Sequence, residues 1–218
     1  LQLTGDIQLI HANFTANLLG KFSGSDGSIN LNAARQKNRI NSTIKITNMN
    51  LMTLVEMLTG HRWIDGRINL TTQLKTQGKA FSDWMKYLSG TGDFQIADGK
   101  IYGVDIGNLI SSTLKQKNTE SSNDSYTAFK QISANYQIRR GIFTTNNLAL
   151  ASKNINASGQ GRINLPDTTI NFKLLTTYAP NPQWQIPIII HGDLFAPKIQ
   201  PDTSAIAKKL LKSTISKD

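Results

Sequence analysis

The sequence predicts a mainly β protein: a long, curved antiparallel sheet, groove-like or a partly open barrel, with a few short α-helices. Three observations lead there. Apolar and polar residues alternate with a period of two along many short segments, the pattern of a strand with one buried and one wet face. Gly, Asn and Asp, the residues of tight turns, separate those segments. And one hexapeptide is written nearly three times, as "DGSINL" at 26–31, "DGRINL" at 65–70 and "QGRINL" at 160–165. The Asp-Gly copies read as one instruction: turn, then begin a strand with its apolar side down.

Around the second copy, Ile64, Gly66, Ile68, Leu70, Thr72 and Leu74 share one parity, and Asp65, Arg67, Asn69, Thr71, Gln73 and Lys75 the other. Upstream, Ile29, Leu31 and Ala33 oppose Ser28, Asn30 and Asn32, and Ile40, Ile44 and Ile46 oppose Asn41, Thr43 and Lys45. Downstream, Ile132, Ala134, Tyr136 and Ile138 oppose Ser133, Asn135, Gln137 and Arg139. Ile155, Ala157, Ile163 and Leu165 share a parity, Ile170, Phe172, Leu174 and Tyr178 come next, and Trp184, Ile186, Ile188 and Ile190 close the series. The polar parity is rich in Asn, Thr, Gln and Lys and meets water.

The apolar parity must be covered, and the chain offers few helices to cover it. Residues 50–60 place Leu51, Leu54, Val55 and Leu58 on one face, with Asn50 as cap and Gly60 as stop. Residues 81–90 bring Phe81, Trp84, Met85 and Leu88 together and end at Gly90. Residues 105–116 gather Ile106, Leu109, Ile110 and Leu114, and 203–216 gather Ile206, Leu210 and Leu211. Two readings are open. Either the sheet curls on itself and the apolar face is an ordinary core, which periodicity alone favours, or it curls only partly and leaves an apolar groove for a lipid chain. Trp63, Trp84 and Trp184 belong to core packing or to that face.

Composition narrows the class. The 218 residues suit one β-rich domain, 1–218, with the aperiodic "QKNTESSNDS" at 116–125 as a mobile loop within it. No apolar run approaches the roughly 20 residues of a membrane-spanning helix. The chain opens in mid-pattern with "LQLTGDIQLI", which reads as a fragment of a longer protein whose targeting segment precedes Leu1. The absence of cysteine excludes disulfides and thiolate chemistry. The net charge of +10 is scattered along the chain, apart from "KKLLK" at 208–212, and no nucleic-acid motif accompanies it.

No catalytic or metal-binding constellation stands out. His11, His61 and His191 fall in different elements without metal-ligand spacing. Asp65 and Asp98 each precede a glycine and read as turn residues. Asp105 reads as a helix N-cap. "SGSDGS" at 23–28 lacks the Lys-Ser/Thr of a phosphate loop. The expectation is a protein without catalysis, cofactor or metal.

Taken in order, these stretches resemble the C-terminal region of the AsmA family of bacterial envelope proteins. "LVEMLTGHRWIDGRINLTTQLKTQG" at 54–78 is similar to the family's helix, aspartate-glycine and long strand. "LSGTGDFQIADGKIYGVDIGNLI" at 88–110 resembles its glycine-bracketed strand, "DGxIxGxD" and helix. The stretch at 129–174 resembles the family's later hairpins, and "IPIIIHGDLFAPKIQPD" at 186–202 its closing strand, so the likeness spans roughly 50–215. The resemblance implies a Gram-negative periplasmic domain tethered to the inner membrane by an N-terminal helix, with a role in outer-membrane biogenesis. It also implies kinship with elongated bridges that move phospholipid between membranes, which raises the groove reading.

The expected function is therefore shielding or transfer of phospholipid acyl chains along the apolar sheet face. The residues expected to face lipid are Ile64, Ile68, Leu70, Phe94, Ile96, Ile170, Phe172, Leu174, Ile186 and Ile188. Lys208, Lys209 and Lys212, on an amphipathic C-terminal segment, are expected at a membrane surface, the alternative being that this segment is a helix capping the sheet end. The alternative is an interaction scaffold with a closed apolar core that affects outer-membrane protein assembly by recruiting envelope proteins, for instance by strand addition. The expected partners are phospholipid, envelope proteins and the inner membrane, and not nucleic acid.

Overall fold

A computed structural model describes residues 2–10, 13–21, 26–108, 125–178 and 181–205. The helix expected at 105–116 begins at 106–108 and the one at 203–216 begins at 203–205. The remainder of both lies outside the described residues, as do 116–124 of the expected loop and Lys208, Lys209 and Lys212.

Among the described residues, twelve strands form one antiparallel sheet in sequence order, each bonded only to its neighbours, and the sheet does not close into a barrel. They are β1 (Gln2–Ile10), β2 (Asn13–Lys21), β3 (Ser28–Gln36), β4 (Arg39–Asn50), β5 (Arg67–Gln77), β6 (Ser89–Tyr102), β7 (Tyr126–Arg139), β8 (Ile142–Ala151), β9 (Ile155–Asn164), β10 (Thr169–Tyr178), β11 (Asn181–Asp193) and β12 (Pro197–Pro201). Helix α1 (Leu51–Thr59) joins β4 to β5, and α2 (Phe81–Tyr87) joins β5 to β6.

The register lays the apolar parities side by side. Ile29 pairs with Ile46, Ile46 with Leu70, Leu70 with Phe94 and Phe94 with Ala134. Ile68 pairs with Ile96, Ile96 with Ile132, Ile132 with Leu150 and Leu150 with Ala157. Leu174 pairs with Ile188, and Phe172 with Ile190. Cross-strand partners share a face, so one apolar surface runs across the sheet.

Bulges curl it, since each adds local twist. Asn48 (φ 49°) interrupts β4 where the register slips between Ile46 and Met49. The Asn69 side chain accepts from the Asn48 amide at 3.0 Å. A second slip separates Ser133 and Gln137 of β7, where the Asn147 side chain accepts from the Asn135 amide at 3.0 Å. Asparagine on the wet face thus satisfies amides that the ladder releases.

Helix α1 starts and stops as its sequence dictates. The Asn50 side chain accepts from the Thr53 amide at 2.9 Å, and Gly60 closes the helix in the left-handed region (φ 72°). Leu51 is buried, and Leu54 and Val55 pack on the sheet's apolar face. The side chain of Leu58 is outside the described set. Asp105 caps the turn at 106–108, its carboxylate accepting from the Asn108 amide at 2.9 Å.

The "QGRINL" copy closes β9, in keeping with the shared parity of 155–165, and its Gly161 is a mid-strand residue opposite Phe172. Two expectations change. Asp98-Gly99 is no turn. It lies inside β6, where Ala97 pairs with Gln131, Gly99 with Phe129, and Asp98 (φ 49°) bulges out to meet Arg67 at 2.6 Å. And α2 ends at Tyr87, leaving Gly90 in the sheet, while Phe81 touches Trp84 edge-on but stays largely in solvent.

Candidate functional site

The apolar face is neither one filled core nor an uninterrupted trough. It carries two packed clusters with a cleft between them. The first joins Ile46, Met49, Leu51, Ile64, Ile68, Ile96, Phe129, Ile132, Leu150 and Ala157, with Leu70 and Phe94 packed against it. The second joins Val104, Ile106, Ile155, Leu174, Ile186 and Ile188. Ile101 and Leu148 touch both.

The cleft holds about 590 Å³, within the range of about 300–1,000 Å³ typical of small-molecule sites. Ile132, Leu148, Leu150 and Ala157 line it from one cluster, and Val104, Ile106 and Leu174 from the other. The β11–β12 turn, Leu194, Phe195 and Ala196, covers it, with the Phe195 ring stacked on His61 at 6.1 Å. Lys198, exposed beside this turn, is the lining's one charged side chain among the described residues.

Inward-facing glycines shape the sheet's apolar floor beyond the cleft lining. A Cβ built on Gly92 would overlap the Tyr136 ring, one on Gly99 the Phe129 ring, and one on Gly161 the Phe172 ring. Each glycine is the direct cross-strand partner of that aromatic. The rings therefore lie flat on the sheet, as aromatics do over strand glycines. Tyr136 stacks in turn on Phe143 at 4.7 Å.

Apart from Trp63 Nε1, the buried polar side chains here have internal partners. Thr176 Oγ1 donates to the Ile186 carbonyl at 2.6 Å, and Thr72 Oγ1 to the Thr91 carbonyl at 3.1 Å. Thr127 Oγ1 donates to the Val104 carbonyl at 2.8 Å and accepts from the Ile106 amide at 2.9 Å. Burial raises the Tyr136 hydroxyl pKa above its ordinary value, a hydrogen bond with Thr72 opposes the rise, and the charge of Asp93 adds to it. Trp63 Nε1 alone is a buried side-chain donor without a partner among the described residues.

All ten residues expected to face lipid lie on this inner surface, and most touch one another. Ile64, Ile68 and Ile96 sit in the first cluster, Leu174, Ile186 and Ile188 in the second, and Phe172 is buried over Gly161. Of the ten, Ile170 and Leu174 line the cleft. The strand pattern placed Ile190 in its closing series, and Trp63 was assigned to the core or the apolar face, but Ile101, Leu148 and Ile199, which also line the cleft, were not singled out. Their parity was legible, but the gap between clusters depends on long-range curl. The glycines did leave a signal: Gly90 and Gly92 share the parity of Phe94, and Gly159 and Gly161 that of Ile163. No group of His, Asp and Glu suited to a metal ion occurs among the described residues.

Fold and site together define an open, curled β-sheet protein with an apolar, clefted inner face. A sequence model of the AsmA family matches residues 4–148, and the chain belongs to that family, which is associated with the cell envelope and outer-membrane biogenesis. The match includes the first four strands, upstream of the stretch whose motifs carried the resemblance. No curated protein and no solved structure matches the chain. No described helix is long and apolar enough to cross a membrane.

Proposed function

We propose that this chain is a non-catalytic periplasmic domain, tethered to the inner membrane in its full-length form, that shelters phospholipid acyl chains along its inner face. The observation that carries the reading is the apolar cleft between two packed clusters on a sheet that stays open. Toward the β1 edge the same face is less covered: Ile7, whose cross-strand partner is the buried Ala16, is 60% exposed. Entry of an acyl chain would bury methylenes at about 0.8 kcal/mol each, and Lys198 stands where an anionic headgroup would emerge.

Native mass spectrometry of the purified chain, with solvent extraction of bound material, tests this. Co-purifying phospholipid is expected. Leu148→Trp, which fills the cleft, is expected to abolish it while leaving the melting transition cooperative. A clean apo mass that stays unchanged after incubation with phospholipid vesicles refutes the reading and turns attention to protein partners at the strand edges.

A further inference from the structure

Successive turns of an antiparallel meander alternate between its two ends, and here one end is rich in exposed cations. The turns β3–β4, β5–β6, β7–β8 and β9–β10 share one end and are bonded to one another. Gly78 N–H donates to the Asn38 carbonyl at 2.9 Å, Gly141 N–H to Leu88 at 2.8 Å, and Leu165 N–H to Gly141 at 3.0 Å. This rim exposes Lys37, Arg39, Lys79, Lys86, Arg139 and Arg140. Across 35–40, 78–88 and 139–142 the one acidic residue is Asp83, whose carboxylate accepts from the Lys79 and Ala80 amides at 3.1 and 3.3 Å. Asp167, at the next turn, is held by Asn164 at 2.6 Å. Among the described residues of the opposite end, Glu56 pairs with Arg62 and Asp98 with Arg67.

The same rim carries two of the large exposed aromatics. Phe81 is 68% and Tyr87 41% exposed, both on α2, with Lys86 Nζ 5.7 Å from the Tyr87 ring centroid. Phe81 has no polar group, so water offers it nothing, and an aromatic set among lysines and arginines is the pattern of a bilayer interface.

We propose that this end of the sheet docks on an anionic phospholipid bilayer, with Phe81 and Tyr87 entering the headgroup region and the surrounding cations meeting the lipid phosphates. None of these rim residues lines the cleft, so the inference holds whether or not the cleft takes an acyl chain.

Co-sedimentation with vesicles tests it. The chain is expected to bind vesicles of phosphatidylglycerol and phosphatidylcholine, to ignore phosphatidylcholine alone, and to be released as salt rises. Combining Lys86→Gln, Arg139→Gln and Arg140→Gln is expected to weaken binding about five-fold per cation removed, about a hundred-fold together. Phe81→Ser with Tyr87→Ser is expected to weaken it at constant charge. The control changes Lys45→Gln, Lys130→Gln and Lys173→Gln, on the wet face of the sheet, and is expected to lose far less. Equal loss in the control, or no loss in the Phe81 and Tyr87 variant, overturns the proposal. So does binding to duplex DNA by a chain that leaves anionic vesicles unbound.

Discussion

The pair of Gly161 and Phe172 offers a direct test of the flat-ring floor. The two face each other in register, Phe172 is 6% exposed, and a methyl on Gly161 would fall within its ring. Gly161→Ala forces the ring off its rotamer and should cost about 1–3 kcal/mol. Phe172→Ala empties the space and should cost about 3–5 kcal/mol. In the double variant the new methyl occupies room the ring has left, so the loss should fall short of the two single losses combined by about 1 kcal/mol or more, as for residues in contact. Thermal melting resolves this, because a chain of this length shifts by about 2–4 °C per kcal/mol. Additive losses would show that the ring does not lie on the glycine, and the account of the floor would fall.

Other perturbations have equally definite outcomes. Ile188→Ala, at 1% exposure in the second cluster, should cost about 2–5 kcal/mol in denaturant unfolding. Asn50→Ala should cost about 1 kcal/mol through loss of the α1 cap, read by the same method. Burial raises the Tyr136 pKa, so as pH climbs past about 10 the unfolded chain ionises first. Stability should hold below that pH and fall above it, and Tyr136→Phe should flatten that fall in melting curves taken across pH. Lys198→Ala should weaken binding of a fatty-acid probe about ten-fold, about 1.4 kcal/mol, while leaving a neutral hydrocarbon probe unaffected, as fluorescence displacement would show.

Parity made the sheet legible. Ile68, Leu70 and Thr72 against Asn69, Thr71 and Gln73 fix which side of β5 faces in, and a period of two leaves no other solution. The caps of α1 were equally readable, because Asn50 and Gly60 act within one turn of chain. What parity could not reveal was how far the sheet curls. That depends on where bulges fall, and Asp98-Gly99 shows the difficulty: the same dipeptide can make a hairpin turn or a mid-strand bulge, and the choice belongs to the neighbouring strand. The cleft inherits this. Leu148 and Ile132 carry the same pattern as residues packed solid elsewhere, and only the spacing between clusters leaves room beside them. Phe81 departs from expectation for a different reason, since helical spacing placed it beside Trp84 correctly but could not say that the sheet ends there.

A sheet in which every strand is hydrogen-bonded along its ladder only to the strands beside it in sequence can change length without being redesigned. Twelve strands at about 4.8 Å each span about 50 Å. One more hairpin would add about 10 Å and return the chain to the end from which it left, with inward and outward parities undisturbed. Loss of a hairpin would shorten the molecule by the same step. Length is thus a modular property of this architecture, adjustable in increments of two strands, and a gap of fixed width could be matched by duplication alone.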